Sequence, residues 1–247
     1  MTRYLPLLRS LAVYRLRAGH HRGLLKLYRP FVPDGGLAFD VGAHVGDRTR
    51  AFRALGAKVV TLEPQQAAFD LLRLLHGRDD QVTLLQSAAG PEPGSATMRV
   101  NSSNPTVSTL SDGFVAETDG AQGWEGQHWD ATQDVAVTTL DTLIETHGTP
   151  DFIKIDVEGF EAEVLAGLSA PVPHLSFEVV MAARAAGQAA LDQCAMLGYA
   201  AYRFSRGESH VFETEWLPAS DMADYLNALP DEANSGDIYA RRESTAG

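Results

Sequence analysis

The stretch Leu37–Thr49, "LAFDVGAHVGDRT", decides how the rest of the chain is read. A short apolar run ends in Asp40. Two glycines follow in the spacing Gly42-x-x-x-Gly46, and then residues that suit a helix. This is the pattern of a buried strand, a glycine loop and a helix start, and such loops hold nucleotides at the helix N-terminus. A dinucleotide turn has the spacing G-x-G-x-x-G, whose close first pair of glycines lets the backbone touch a pyrophosphate. Here the middle glycine is absent and His44 occupies the loop. The spacing therefore points to a ligand without a pyrophosphate, such as S-adenosylmethionine. Asp40 at the strand tip suits that ligand's positive charge, and the loop amides suit its carboxylate.

Outward from this loop the chain alternates. "KVVTLEP" reads as a second strand cut off by Pro64, "QAAFDLLRLLHG" as a second helix, and "QVTLLQSAAG" as a third strand. Glu63, at the second strand's tip, can accept both ribose hydroxyls of an adenosine. Ser87 and Ala88, at the third tip, are placed to edge the adenine. Ala43, Thr49 and Pro64 complete the expected cofactor set. The β-α-β-α-β start predicts an α/β fold with a doubly wound, mostly parallel sheet of seven strands. Alternation breaks over 91–138, an expected insertion with two short strands around a polar, glycine-rich stretch, which marks a functional or mobile segment. It resumes with a helix in "TLDTLIETHG", a strand in "DFIKIDVEG", a helix in "FEAEVLAGL", a strand in "HLSFEVV", a helix to Leu197 and a strand in "GYAAYRFS". The closing strand is either "HVFETE" or "DIYAR".

Composition bounds the answer. The chain has 247 residues, a net charge of −12 and one cysteine, Cys194, in what reads as the buried face of a helix. A lone cysteine excludes an internal disulfide and a cysteine metal cluster. No run approaches the roughly 20 apolar residues of a membrane span, and no signal-peptide core opens the chain, so the expected location is cytoplasmic, without stable membrane insertion. Seven bases (Arg3, Arg9, Arg15, Arg17, Arg22, Lys26 and Arg29) precede the first acid, Asp34, so the rest of the chain is strongly acidic. An acidic body argues against nucleic acid as a partner. Residues 1–33 are expected to form a basic helical segment before a domain at 34–247. Leu5, Leu8, Ala12 and Leu16 recur at helical spacing, the expected packing face, with the bases in solvent. Contact with an anionic lipid or substrate is the alternative.

The segments "FDVGAHVGDRTRAF", "VVTLEP", "STLS" and above all "VTTLDTLIETHGTPDFIKIDVEGFEAEVLAGL" resemble the FkbM family of S-adenosylmethionine-dependent methyltransferases over about 37–180, with "IKIDVEGFE" the most specific block. The resemblance implies a Rossmann-like class I methyltransferase fold and methyl transfer, commonly to hydroxyl oxygens of sugars or natural products. Carried over by motif, Asp40, Gly42, Gly46 and Glu63 become cofactor contacts. His44 departs from the asparagine usual in that loop.

The chemistry is expected where the fourth and fifth strands end. An acceptor hydroxyl needs a base within hydrogen-bond reach. Asp156 is the first candidate and Glu178 the second, with Lys154 paired to a neighbouring acid. Glu158, also set on the substrate side, is expected to orient the turn or cap the next helix. The site is expected to need no metal, and a magnesium ion clamped by Asp156 and Glu178 is the rival reading of the same acids. In the insertion, Trp124 and His128 are candidate substrate contacts, with tryptophans that pin the loop to the core as the alternative. Ser108 of "STLS" adds a hydroxyl. The acceptor is thus a small molecule or glycan. Transfer to nitrogen or a peptide, or a catalytically silent binding protein, are the alternatives.

Overall fold

The computed structural model describes residues 4–242, so Arg3 and the chain's last residues lie outside it. The N-terminal segment forms α1 (Leu5–Leu16) and α2 (His20–Tyr28). Next come β1 (Leu37–Val41), α3 (Asp47–Ala54), β2 (Lys58–Leu62), α4 (Gln66–His76) and β3 (Val82–Leu85). The short β4 (Ala88–Ala89), β5 (Gly94–Val100), α5 (Asp112–Thr118) and β6 (Ala131–Thr138) follow. Then α6 (Leu140–His147), β7 (Phe152–Ile155), α7 (Glu161–Ala166), β8 (His174–Val180), α8 (Arg184–Met196), β9 (Tyr199–Arg206), α9 (Ala219–Ala228) and β10 (Ser235–Arg242) complete the described chain.

The main sheet runs β3-β2-β1-β7-β8-β10-β9. Its first five strands are parallel, and β10 lies antiparallel to both β8 and β9. This is the expected seven-stranded, mostly parallel sheet. The order reverses beside β1, where ligands of open α/β sheets bind at the strands' C-terminal ends. The closing strand is the one containing "DIYAR". "HVFETE" contributes only an isolated bridge between Phe212 and Ser205.

Alternation along each strand sorts the core into two layers. Phe39, Val41, Ile153, Ile155 and Phe177 face α6, α7, α8 and α9. Ala38, Val59, Phe152 and Tyr239 face the other way, onto Leu24 and Tyr28 of α2 and Ala51 and Phe52 of α3. The N-terminal segment thus closes one face of the sheet. Cys194 is buried in the first layer, where burial pushes its thiol up, as a packing cysteine requires.

Two expectations need correction. The third strand does not run through to Gly90. It stops at Leu85, and Ala88–Ala89 pairs instead with β6 in a second sheet of order β4-β6-β5. The insertion carries the two expected strands, β5 and β6, and between them Ser111 caps α5 by accepting from the Phe114 amide, while Val107, Phe114, Trp124, Val180 and Ala183 form a packed cluster of their own. Finally, α1 packs on the face opposite to the expected one. Leu7, with Tyr4, Leu11 and Tyr14, covers Val45 and Ala68, while Leu5 and Leu16 are 65% and 80% exposed. The helix is apolar on both faces, and the residues that reach Val45 above the glycine loop decide which face is buried.

Phe152 is fully buried, stacked on Phe31 and edge-on to Phe52. Phe152→Ala is expected to lower stability by about 3–5 kcal/mol. Leu16→Ala is expected to change it by no more than about 0.5 kcal/mol. Urea unfolding of the two variants checks the pair.

Candidate active site

The ends of β1, β2, β7, β8 and β10 surround one large pocket of about 1330 Å³, counting its open mouth. Asp40, Gly42, Ala43, His44, Glu63, Pro64, Ser87, Ala88, Ser108, Asp156, Glu158 and Glu178 all line it. These are twelve of the sixteen residues singled out from sequence.

The glycine loop is tied down from both sides. Gly42 takes φ +83°, and a Cβ there would run into the Asp156 carbonyl, so only glycine lets β1's loop meet β7's. His44 also lies in the left-handed region, at φ +49°. Asparagine and histidine are the side chains that tolerate this region best, which accounts for a histidine where the family has asparagine. The His44 backbone N–H donates to Glu63 Oε2 at 2.8 Å, and the Gln65 N–H donates to Oε1 at 2.8 Å. Each Glu63 oxygen keeps a further lone pair toward the pocket. Burial pushes this carboxyl up to about 7, against the two amide donors that pull it down. Burial likewise raises Asp40 to about 6, with the Thr49 hydroxyl opposing the shift, and lowers His44 to about 4, so its imidazole is neutral. The His44 Nε2 is buried without a hydrogen-bond partner.

At the opposite wall, Lys154 is 1% exposed at the sheet's centre. Its Nζ lies 2.8 Å from Asp237 Oδ1 and 3.2 Å from Asp156 Oδ2. Burial alone would lower the ammonium's pKa, but Asp156 and Asp237 outweigh it and keep the group charged. Asp156 feels the converse. Burial would raise it, yet Lys154 and then Arg48 hold it below the usual carboxylate range. Glu158 and Glu178 have no such partner, and burial, then repulsion from Asp156, pushes both well up. One oxygen from each of Asp156, Glu158 and Glu178 lies within 4.8 Å of the others. Glu158 holds its place through φ +56°, which costs a non-glycine residue about 1–3 kcal/mol and aims the carboxylate inward rather than at the turn. The turn is held instead by Glu161, whose Oε1 accepts from the amides of Val157 and Gly159.

Four expected site residues lie elsewhere. Thr49 is fully buried beneath the pocket, donating to Asp40 Oδ2 at 2.5 Å. Gly46, at φ +76°, leaves room for Leu72 and His76 and serves helix packing. Trp124 is buried edge-on against Phe114, 5.2 Å between ring centroids, so it pins the insertion. His128 is exposed and does not line the pocket. Sequence reasoning missed Asp237, Arg48, Glu208 and Tyr14, all pocket-lining. Asp237 reaches the site only because β10 inserts beside β8, with Asp237 opposite Glu178.

A family model described as Methyltransferase FkbM domain matches residues 40–229. The chain belongs to this family. It is an S-adenosylmethionine-dependent methyltransferase, and the lone pairs of Glu63 and the unpartnered His44 nitrogen, facing an open pocket, fit that cofactor. No curated protein matches the chain. Among solved structures it is similar to precorrin-6Y C5,15-methyltransferase from Geobacter metallireducens, at 13% identity and TM-score 0.45, covering 90% of this chain and 87% of that one. It is also similar to a TehB-like SAM-dependent methyltransferase from Corynebacterium glutamicum, at 10% identity and TM-score 0.47, covering 90% and 88%. A third is fibrillarin from Aeropyrum pernix with natively bound S-adenosyl-L-methionine, at 8% identity and TM-score 0.46, covering 90% and 76%. Among the described residues, no helix is long and apolar enough to cross a membrane.

Glu63→Ala is expected to weaken S-adenosylmethionine binding by about 1.5–3 kcal/mol, the range for hydrogen bonds to a charged group. Hydroxyl donors need the ionised carboxylate, and Glu63 in the free protein holds its proton up to about pH 7. Affinity is therefore expected to fall as pH drops from 8 to 6, and less so in the alanine variant. Calorimetry at both pH values measures it.

Proposed function

We propose that this chain works in the cytoplasm and transfers a methyl group to a hydroxyl oxygen of a small molecule, sugar or glycan. The observation that carries the reading is the convergence of Asp156, Glu158 and Glu178 at one point of the pocket, with Asp156 alone held below the usual carboxylate range. An alcohol is a weak nucleophile and gains from a base that takes its proton as the new bond forms. Bound S-adenosylmethionine supplies the electrophilic methyl group. Asp156, with its side chain 31% exposed, is the base, and Lys154 fixes its position and its charge. Glu178, protonated by burial, donates to the acceptor and orients it. Glu158 contacts the substrate beside them. On the cofactor side, Glu63 takes the ribose hydroxyls, and Gly42, Ala43 and His44 of the loop border the amino-acid tail. Ser87 and Ala88 border the adenine. Asp40 offsets the sulfonium charge from below, and Pro64 shapes the wall next to Glu63. Ser108, buried and pocket-lining, borders the acceptor.

Asp156→Asn keeps the size of the side chain and removes the base. With a hydroxyl acceptor, kcat is expected to fall by about 10²–10⁴, while S-adenosylmethionine affinity changes little. Because Asp156 lies below the usual carboxylate range, parent activity is expected to persist into mildly acidic solution and to be lost only as Asp156 protonates. Full activity in the asparagine variant, or methylation confined to amines across a panel of acceptors, would overturn the reading.

A further inference from the structure

A second polar cluster stands where the N-terminal helices meet the loop after β9. His20 opens α2, while Glu208 and His210 lie in and just after the 3-10 turn Gly207–Ser209. One ligand atom from each of the three lies within 4.8 Å of the others. The His210 Nε2 is 3.1 Å from Glu208 Oε2, and the His20 Nδ1 is 3.8 Å from the same oxygen.

The hydrogen bonding of His20 leaves one atom unexplained. Its Nε2 lies 2.6 Å from Asp47 Oδ2. A carboxylate only accepts, so Nε2 carries the proton and Nδ1 of the neutral ring carries a lone pair. That Nδ1 belongs to a side chain that is fully buried, and it has no hydrogen-bond partner. It faces the Glu208 carboxylate, lone pair against anion. A proton on Nδ1 would make this contact attractive but would leave it without a hydrogen bond, because 3.8 Å is beyond hydrogen-bond reach. A metal ion seated between them would bond to both atoms.

The surroundings match that demand. A metal-binding histidine characteristically gives its other N–H to a carboxylate, which fixes the tautomer and aims the ring. Asp47 does this for His20. Two imidazoles and one carboxylate form a donor set for a borderline cation such as zinc rather than for magnesium or calcium, which take oxygen. With bonds of about 2.0–2.2 Å, tetrahedral donor atoms stand about 3.3–3.6 Å apart, and the observed 3.1 and 3.8 Å straddle that spacing. Glu208 Oε1 is paired with Arg48 at 2.7 Å, while Oε2 accepts a hydrogen bond from His210 Nε2 at 3.1 Å, so an ion that takes both atoms as ligands displaces that one proton. Asp47 and Glu208 outnumber Arg48, leaving the cluster net negative. Room for the ring is also built in: a Cβ on Gly23 would strike the His210 imidazole.

We propose that His20, Glu208 and His210 bind one divalent transition-metal ion of the zinc type, with Asp47 orienting His20. The ion pins α2 to the loop that carries Glu208. Since Glu208, Arg48 and Tyr14 all line the large pocket, the metal sets the shape of its rim. This site is separate from the Asp156 cluster and does not depend on which atom receives the methyl group.

The test uses the full, untagged chain, stripped with a chelator and titrated with Co²⁺ and with Zn²⁺ in the absence of cofactor and acceptor. One equivalent of Co²⁺ per chain is expected, with the visible absorption of a low-coordinate nitrogen–oxygen site, displaced by Zn²⁺, and a higher Tm with either ion. His20→Ala and His210→Asn are each expected to weaken binding by about 100-fold or more, since even outer-shell changes cost 10–100-fold. Asparagine suits the left-handed backbone of His210, so that variant keeps its fold, as circular dichroism would show. His128→Ala, which alters an exposed histidine, is expected to bind like the parent. No stoichiometric Co²⁺ or Zn²⁺ binding would overturn the proposal. So would equal binding by the His210→Asn variant, or Mg²⁺ binding as tight as that of Zn²⁺.

Discussion

A single ammonium group at the centre of the sheet sets the chemistry of this protein. Lys154 sits on the same face of β7 as Phe152, but one residue pair nearer the tip, where the apolar layer gives way to the pocket. Its charge is compensated by Asp156, just past the end of its own strand, and Asp237 from β10. Removing one partner of such a buried group costs about 3–5 kcal/mol, because the other charge is left alone in a poor solvent. Lys154 therefore joins β7 to β10 across β8, and it also decides which of three crowded carboxyls ionises. Asp156 is held below the usual carboxylate range, while burial and the neighbouring Asp156 push Glu158 and Glu178, without a cation of their own, well above it.

The opposite wall is organised by backbone rather than by charge. Gly42, His44 and Gly46 all lie at positive φ, so the loop after β1 turns within five residues, and its amides at Gly42 and Ala43 donate to the Leu62 carbonyl. Glu63 receives two such donors, from His44 and Gln65, and so joins the first loop to the second. The same carboxylate that faces the pocket is thus part of what shapes it. Asp40 is tied beneath by Thr49, which in turn contacts Thr61 at 3.0 Å, linking α3 to β1 and β2. Both carboxyls are buried and raised.

The N-terminal helices close the structure over these walls. Leu24 and Tyr28 of α2 supply the outer half of one core layer, and Tyr14 of α1 reaches the pocket. The buried pair of Arg48 with Asp47 and Glu208 binds the start of α3 to the loop after β9, with His20 beside them. One helix terminus, one loop and one pocket wall therefore share a polar network.

What the sequence by itself determined was everything carried by local pattern. The strand–loop–helix of 37–49, the acid at the tip of β2 and the block "IKIDVEGFE" each announce themselves within a dozen residues. From them follow the order of elements, the parallel sheet, the family and twelve of the residues that line the pocket. Strand periodicity alone separated Ile153 and Ile155 from Lys154 and Asp156. Tertiary structure decided what depends on distant partners. The antiparallel insertion of β10 brings Asp237 to Lys154 across 83 positions of sequence, and no local signal distinguishes "DIYAR" from "HVFETE". Trp124 is a pin because Phe114 happens to stand beside it, and α1, apolar on both faces, is oriented only by Val45 and Ala68 beneath it. The ionisation of the three acids belongs to this second class as well. Asp, Glu and Lys read alike along the chain wherever they fall, and only burial and the position of one buried cation make them different.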